Sequence, residues 1–303
     1  MTDTRDRTTW RAAGDSLRGS SQRGIAERGI ARRGTSQHDV GDSQSDGGRW
    51  QRRAWRAVAA LTGALLVLPA GGYAWAWLAR DSRDADLVLH HPVGALRLDA
   101  PRASVVLRPG PDDQVHLRYT MDWSVRAPAV RTGWAGDTLT VLVDQPGPDL
   151  DAFGSQVSLE IELPARASVD AASRSGSISL SGLAGDLRLR TGSGPITVSD
   201  SSGPLRVTDD SGRVRATGLS SPTVALQTRS GPASVNFSTP PSRFTASVGA
   251  GRLDASLPPG SRYRLDGGGA PGDALRVAPG LADPDAAGLI SVRVDHGYAA
   301  LGY

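Results

Sequence analysis

A nine-residue pattern of small, apolar and polar residues runs through the second half of the chain. Each block reads small-Gly-x-apolar-x-apolar and ends in three turn-type residues. The blocks are SGSISLSGL from residue 175, AGDLRLRTG from 184, SGPITVSDS from 193, SGPLRVTDD from 202, SGRVRATGL from 211, a longer SSPTVALQTR from 220, and SGPASVNFS from 230. Apolar residues two positions apart predict one short strand per block with both side chains on one face. The glycine at the second position is expected to turn the chain at positive φ.

Two nine-residue blocks make a coil of 18 residues, so apolar residues recur at the same place one coil later. The stacks that this period predicts are Ile178–Ile196–Val214–Ala233, Leu180–Val198–Ala216–Val235, Leu187–Leu205 and Leu189–Val207. One block cannot bury its apolar face alone, whereas coils stacked about 4.8 Å apart close a continuous core. The pattern therefore predicts an all-β domain of stacked β-repeats with a β-solenoid-like fold.

Looser alternation of apolar and polar residues flanks the regular blocks on both sides. It runs upstream from Leu96 to Ile161 and downstream from Tyr263 to Val294. These stretches predict less regular coils or capping sheets, which repeat folds need at their ends. Three prolines interrupt the upstream part, and we interpret the stretches around them as loops. They are Pro109, Pro111 and Pro128.

A long apolar segment precedes the repeats. Residues 57–79 carry no charge and lie between Arg56 and Arg80. As a helix they would span about 34 Å, enough for the hydrocarbon core of a bilayer. An arginine cluster precedes the segment, and positive charge favours the cytoplasmic side. We predict a single transmembrane helix at residues 56–80 in the cell membrane, with the N-terminus cytoplasmic and the domain of residues 81–303 extracytoplasmic.

A cleaved export signal is the alternative interpretation of this apolar segment. The tripeptide Ala74-Trp75-Ala76 fits a small-x-small cleavage site. Both interpretations export the C-terminal domain.

The residues before the apolar segment differ from the rest in composition. Residues 1–55 contain few large apolar side chains, which predicts a disordered, arginine-rich cytoplasmic tail. Residues 1–56 hold 12 arginines against 7 acids, and residues 80–303 hold 22 against 24. The high isoelectric point therefore belongs to the tail. It does not indicate nucleic-acid binding by the C-terminal domain.

Composition also excludes several kinds of chemistry. The chain has no cysteine, which excludes disulfides, thiolate catalysis and thiolate metal sites. Aromatic residues make up only 5% of the chain, so any core must be built from aliphatic side chains. The 37 glycines and 20 prolines favour short strands and turns over helices.

The repeats resemble a known family of proteins. The strand VSLEIELP at 157–164, followed by ASVDAASRSGSISLSGLAGDLRLRTGSGPITV at 167–198, is similar to the bacterial putative-adhesin family of β-strand-repeat envelope proteins. The resemblance covers roughly residues 88–303 and is strongest over 157–237. It implies a β-solenoid-like fold and a location in the cell envelope. Many members carry Gly-Asp at each turn, whereas here only Gly185-Asp186 does.

We predict no catalytic, cofactor-binding or metal-binding residues, and no cofactor. A polysaccharide-active β-helix enzyme would need acids clustered with one another or with arginines on one face of the coil. The residues that could gather in this way are Asp200, Asp209, Asp210, Arg206, Arg213 and Arg215. The adjacent His90 and His91 would face opposite sides of a strand, which disfavours joint metal ligation.

The leading hypothesis is a non-enzymatic, membrane-anchored envelope protein that displays a β-solenoid surface for binding or adhesion. Its expected partners are the lipid bilayer and a cell-wall glycan or envelope protein, and nucleic acid is not among them. A polysaccharide-active enzyme is one alternative. The other is an envelope sensor or scaffold that couples the outer domain to the cytoplasmic tail.

Overall fold

The computed structural model describes residues 81–111, 114–123, 126–145, 156–269 and 275–303. Throughout these ranges the regular structure consists of β-strands, which confirms the all-β prediction. The predicted tail at 1–55 and the predicted transmembrane helix at 56–80 lie outside the described residues. Within the described residues, no helix has the length and apolar character needed to span a membrane.

The strands are short and follow one another closely along the chain. In chain order they are β1 (Asp81–Leu89), β2 (Ala95–Asp99), β3 (Ser104–Gly110), β4 (Val115–Trp123), β5 (Ala129–Ala135), β6 (Thr138–Asp144), β7 (Gln156–Pro164), β8 (Ser168–Ser173), β9 (Ile178–Ser181), β10 (Leu187–Thr191), β11 (Ile196–Ser199), β12 (Leu205–Asp209), β13 (Val214–Leu219), β14 (Thr223–Thr228), β15 (Pro232–Phe237), β16 (Arg243–Val248), β17 (Arg252–Ser256), β18 (Arg264–Gly269), β19 (Leu275–Val277), β20 (Leu289–Val294) and β21 (Tyr298–Gly302).

The strands form two sheets that enclose one apolar core. Sheet 1 has 11 strands in the order β1-β4-β7-β3-β9-β11-β13-β15-β17-β21-β19. Sheet 2 has 10 strands in the order β18-β20-β16-β14-β12-β10-β8-β2-β6-β5. From β8 to β17 successive strands alternate between the sheets, and strands two apart in the chain pair in parallel. This alternation is the predicted coil of two blocks.

The predicted stacks of apolar residues are confirmed by the strand registers. In sheet 1, Ile196 pairs with Ile178 on one side and with Val214 on the other. The remaining predicted pairs of both sheets are present too. All twelve side chains are at most 3% exposed. The rows belong to a larger apolar core that extends into the flanking strands, for example at Leu98, Leu159 and Ile290. Burial of this apolar surface is the main driving force for folding.

The role of the repeat glycines differs from the prediction. None of them has positive φ, so the prediction of a left-handed turn at the second block position was wrong. A Cβ atom on Gly194 would instead collide with the carbonyl oxygen of Gly176 in the preceding coil. Three left-handed residues lie at the C-terminal ends of successive strands of sheet 1, either just after the strand or next to its last residue. They are Gly182, Asp200 and Gly218, with φ of 67°, 52° and 66°.

One of the three predicted proline loops is also wrong. Pro109 lies inside β3, in register with Leu163 of β7, whereas Pro111 and Pro128 lie outside the strands. On the other side of β3, the pairing with β9 ends at Leu107. Beyond that point one edge of β3 has no strand partner, so a proline removes no ladder hydrogen bond there.

The strand order changes at both ends of the stack. At the C-terminal end, β20 lies between β16 and β18, and β21 lies between β17 and β19. At the N-terminal end, β2 and β3 lie between the coil of β8 and β9 and the strands β6 and β7. Antiparallel strands β1, β4 and β5 cover the N-terminal edges, where the flanking pattern predicts a cap.

Candidate binding face

The two sheets present different side chains on their outer faces. The outward positions in the middle of sheet 1 carry hydroxyl groups at Ser179, Ser181, Thr197, Ser199 and Thr217. The outward positions of sheet 2 carry arginines at Arg97, Arg188, Arg190 and Arg206. The middle of sheet 1 therefore offers mainly hydroxyl groups together with the single arginine Arg215, whereas several arginines stand together on sheet 2.

The arginines of sheet 2 follow one line across the strands. Arg97 of β2 is in register with Asp170 of β8, which is in register with Arg188 of β10. Arg188 is in register with Arg206 of β12, and both side chains are exposed. Adjacent strands lie about 4.8 Å apart, so two like charges stand side by side. We call this line of Arg97, Asp170, Arg188 and Arg206 the arginine row.

The ion pairs on this face are unequally distributed. Arg188 contacts Asp186 at 2.6 Å, and Arg190 of the same strand contacts Asp170 at 2.9 Å. Arg206 makes no ion pair with any residue that the structure describes. The row therefore has an excess of positive charge at Arg206, where the N–H groups of the guanidinium are free to bind an anion.

A shallow depression of about 180 Å³ lies beside Arg188 and Arg206. Ala225 and Thr223 of the next strand form part of its lining, and Asp186 and Pro204 form another part. The small side chain of Ala225 leaves space next to the two guanidinium groups. Arginine binds carboxylate or phosphate with paired N–H donors, so this depression suits an anionic group.

The six residues considered for catalysis do not form one cluster. Arg206 faces outward from sheet 2, whereas Arg215 faces outward from sheet 1. Asp209 and Asp210 stand where the chain leaves β12 of sheet 2, and Asp200 stands where it leaves β11 of sheet 1. Arg213 precedes β13. Asp209, Asp210 and Arg213 therefore share one corner of the coil, Asp200 lies at the opposite corner, and Arg206 and Arg215 lie on opposite faces.

Asp209 is buried and its carboxylate is used in hydrogen bonds that hold the corner of the coil together. Its side chain is 1% exposed and accepts hydrogen bonds from the Gly212 amide at 2.7 Å and the Thr228 hydroxyl at 3.1 Å. Burial raises the pKa of the Asp209 carboxyl, and the two hydrogen bonds oppose that rise. Threonine occupies the equivalent position one coil before and one coil after Asp209. The hydroxyl of Thr191 accepts a hydrogen bond from the Gly194 amide, and that of Thr228 accepts one from the Gly231 amide. Asp209 thus replaces a hydroxyl residue at this corner.

The histidine pair lies at the N-terminal end of the molecule. The ring of His91 lies 4.4 Å from the ring of Trp134, and its Nδ1 atom is 3.0 Å from the carbonyl oxygen of Pro92. Across the residues that the structure describes, no group of three or more His, Asp or Glu side chains is placed to hold a metal ion.

Sequence reasoning named Arg206 but missed its neighbours on the same face. Arg188 precedes Arg206 by 18 residues, which is one full coil, and that spacing is a signal that the sequence contained. Asp170 lies one coil earlier still. The depression could not be found in this way, because it depends on which side chains leave space between strands.

The model of one family matches the chain over residues 93–247, which is just over half of its length. The chain belongs to the Toastrack DUF4097 family. The match begins just before β2 and extends through most of β16, so it includes every strand of the arginine row. The match confirms the resemblance to the β-strand-repeat family, which is based on the sequence of residues 157–198.

Several solved structures are also similar to the Toastrack chain. A putative cell adhesion protein from Clostridium sporogenes has 12% identity and a TM-score of 0.34, over 73% of this chain and 98% of that one. A putative adhesin from Bacteroides fragilis has 10% identity and a TM-score of 0.37, over 73% and 96%. A putative lipid binding protein from Parabacteroides distasonis has 12% identity and a TM-score of 0.32, over 73% and 96%. A search of curated proteins found no match.

Proposed function

We propose that this chain is a membrane-anchored envelope protein whose β-repeat domain binds an acidic cell-wall glycan outside the cell. The arginine row of sheet 2 holds the glycan, and the binding involves no turnover. The observation that carries the proposal is the register of Arg188 and Arg206, which places two exposed guanidinium groups side by side next to a depression.

The geometry of the row suits a polymer better than a small ligand. Arg97, Arg188 and Arg206 stand at intervals along a line that crosses the strands. A chain with an acidic group on successive units can contact such a line at several points. Several weak contacts then add to a useful affinity, although each exposed ion pair contributes at most about 1 kcal/mol.

The proposed location rests on the sequence before β1. The uncharged residues 57–79 have the length of a membrane span, and the arginines before them favour a cytoplasmic N-terminus. β1 begins at Asp81, directly after this segment. The β-repeat domain, with its arginine row, would then lie outside the membrane.

The absence of turnover is also part of the proposal. Glycoside hydrolysis needs two carboxyl groups on either side of one bond. Asp200 and Asp209 lie at opposite corners, and Asp209 is buried and hydrogen-bonded. The arrangement supports retention of a glycan on the sheet face.

The experiment compares two charge reversals in the full-length protein held in detergent micelles. Arg206→Glu changes the arginine row, and Arg215→Glu makes the same change on an exposed outward position of sheet 1. The probes are a polyuronate and a neutral glucan of equal chain length. We expect the unchanged protein and Arg215→Glu to retain the polyuronate, and Arg206→Glu to lose most of it. Retention should weaken as salt is raised, because exposed charges are screened.

Three outcomes would contradict the proposal. Equal loss in both variants would show that net charge decides retention and that the row does not. Equal retention of the neutral glucan would remove the role of the arginines. Release of shorter chains into solution would show turnover.

A further inference from the structure

A second cavity lies at a corner of the coil, away from the arginine row. Its volume is about 260 Å³. Residues from three neighbouring coils line it, at the points where the chain enters β16, β18 and β20 of sheet 2. The residues that matter for its chemistry are Pro240, Pro241, Ser242, Arg262, Tyr263 and Ala287.

The cavity exists because the middle coil has no side chain at this corner. Gly288 lies in the middle of three coils that are stacked at this corner. The Leu289 amide donates a hydrogen bond to the Ser242 carbonyl on one side, and the Arg264 amide donates one to the Gly288 carbonyl on the other side. A Cβ atom on Gly288 would lie 2.7 Å from the ring of Tyr263. The coils before and after it bear side chains, and the notch between them is open to solvent at Ala287, which is exposed.

Tyr263 is a buried polar residue with an unused hydrogen-bonding group. It is 2% exposed, and its hydroxyl oxygen has no hydrogen-bond partner among the described residues. The neighbouring Ser261 hydroxyl donates to the Pro258 carbonyl at 2.6 Å. Burial raises the pKa of the Tyr263 phenol, and the nearby Ser261 side chain opposes that rise. The hydroxyl oxygen is itself buried, so Tyr263 helps to shape the wall of the cavity and its hydroxyl is out of reach of a ligand there.

The mouth of the cavity carries a positive charge. The side chain of Arg262 is 70% exposed, and its nearest carboxylate is Asp283, with Nη1 and Oδ2 3.5 Å apart. This contact is long and uses one nitrogen of the guanidinium, so the other N–H groups can bind a second carboxylate. The pyrrolidine rings of Pro240 and Pro241 add aliphatic surface to the lining.

We propose that this cavity binds one acidic sugar unit. The C–H face of the sugar ring packs on Pro240 and Pro241, and the carboxylate pairs with Arg262. The cavity has room for one sugar ring and not for a long segment of polymer. The inference rests on the proposed binding of acidic glycans and assigns a second subsite, which holds one unit at the end of the glycan.

The test uses the full-length protein in detergent micelles and a matched pair of sugars. Glucuronate and glucose differ only at C6, where glucuronate has a carboxylate. We expect saturable binding of glucuronate by ligand-detected NMR, and binding of glucose about tenfold weaker, which corresponds to the loss of one charged hydrogen-bonded contact. Ala287→Trp should fill the mouth and abolish binding of both sugars. Ala250→Trp, at an exposed position of another corner, is the control and should bind normally.

Three more variants test the role of each group. Tyr263→Phe keeps the ring in the core and should leave the binding of both sugars unchanged, because the hydroxyl is buried away from the cavity. Arg262→Gln should remove the preference for glucuronate over glucose. Asp283→Asn should strengthen glucuronate binding, because Asp283 competes with the sugar for Arg262. Its Oδ1 atom accepts from the Asp285 amide at 3.0 Å, and an asparagine oxygen can do the same.

Two results would overturn the inference. One is the absence of saturable binding of glucuronate, and the other is unchanged binding in Ala287→Trp. Arg206→Glu distinguishes this site from the arginine row, since it should lose the polyuronate but still bind glucuronate. If Ala287→Trp binds glucuronate normally while polymer retention depends on Arg206, the cavity site fails and the proposed function stands.

Discussion

Gly194 lies so close to the carbonyl oxygen of Gly176 that no side chain fits between them. Gly212 has the same relationship to Gly194, and Gly231 to Gly212. These glycines form a column along one corner, where the backbones of successive coils touch. The column explains why glycine occupies the second position of the blocks, although φ is negative there.

Gly194→Ala should therefore destabilise the domain. The added methyl group must push the coils apart at the corner, and overpacking of this kind costs roughly 1–3 kcal/mol. Chemical denaturation followed by circular dichroism measures the free energy of unfolding. The control is Gly133→Ala in β5, where an added Cβ would meet no atom within 4 Å. An equal effect in both variants would show that close approach is not the reason for the glycine.

Asp200→Gly should stabilise the domain. Asp200 has φ of 52°, and it stands in a column whose other members are Gly182 and Gly218. Non-glycine residues in this conformation carry strain of roughly 1 kcal/mol, which glycine removes. Thermal unfolding should show a higher midpoint for Asp200→Gly. Ser199→Gly, one residue earlier in β11, should lower it, since glycine inside a strand costs conformational entropy.

Leu205→Asp should unfold the coil. Leu205 is 3% exposed and is in register with Leu187 and Val224, both of which are buried. The substitution places a charge without a partner in the single core that the described residues share. Gln227→Asp puts the same charge on the outer face of β14 and should leave the melting curve nearly unchanged. A normal melting curve for Leu205→Asp would mean that the assigned inner face is wrong.

Asp209→Thr should make the domain more stable near pH 7. Burial raises the pKa of the Asp209 carboxyl in the folded state, so the folded protein binds this proton more tightly than the unfolded chain does. The free energy of unfolding therefore falls as the pH rises through the folded-state pKa and the carboxyl becomes charged. Threonine stands at the matching positions 191 and 228 and carries no charge. We expect a gain of roughly 1 kcal/mol at pH 7 that vanishes below the ordinary carboxyl pKa of about 3.9. Urea unfolding at a series of pH values measures this difference.

A surface variant separates the effect of burial from the effect of charge. Asp210→Thr removes the neighbouring carboxylate, which contacts Arg229 at 3.2 Å on the surface. If the unfolding free energy of Asp209→Thr follows that of Asp210→Thr at every pH, burial of Asp209 has no role in the pH dependence.

The regular part of the fold could be predicted because its contacts are periodic. Ile178 and Ile196 are 18 residues apart and meet across one strand pair, so a repeat of that length predicts the contact. The same spacing relates Arg188 to Arg206 on the outer face. Periodicity could not show that β20 enters between β16 and β18, because the order of the last coils does not follow the chain.

The candidate sites depended on features that a pattern does not contain. The cavity at Tyr263 arises where Gly288 leaves a notch between two coils that are brought together by the changed strand order. The sequence offered Asp209 as one member of a cluster of acids on one face of the coil, whereas in the structure it is buried and accepts a hydrogen bond from Thr228 one coil later. In both cases the environment is made by residues distant in the chain.

The sequence by itself determined the all-β class, the length of the coil and the residues that face the core, because local alternation and a fixed repeat specify each of them. The purpose of the repeat glycines, the order of the end coils and the surroundings of Asp209, Arg206 and Tyr263 emerged only from the tertiary structure. These depend on the distance between backbones and side chains of different coils. That distance is set by packing, and no local pattern of residues records it.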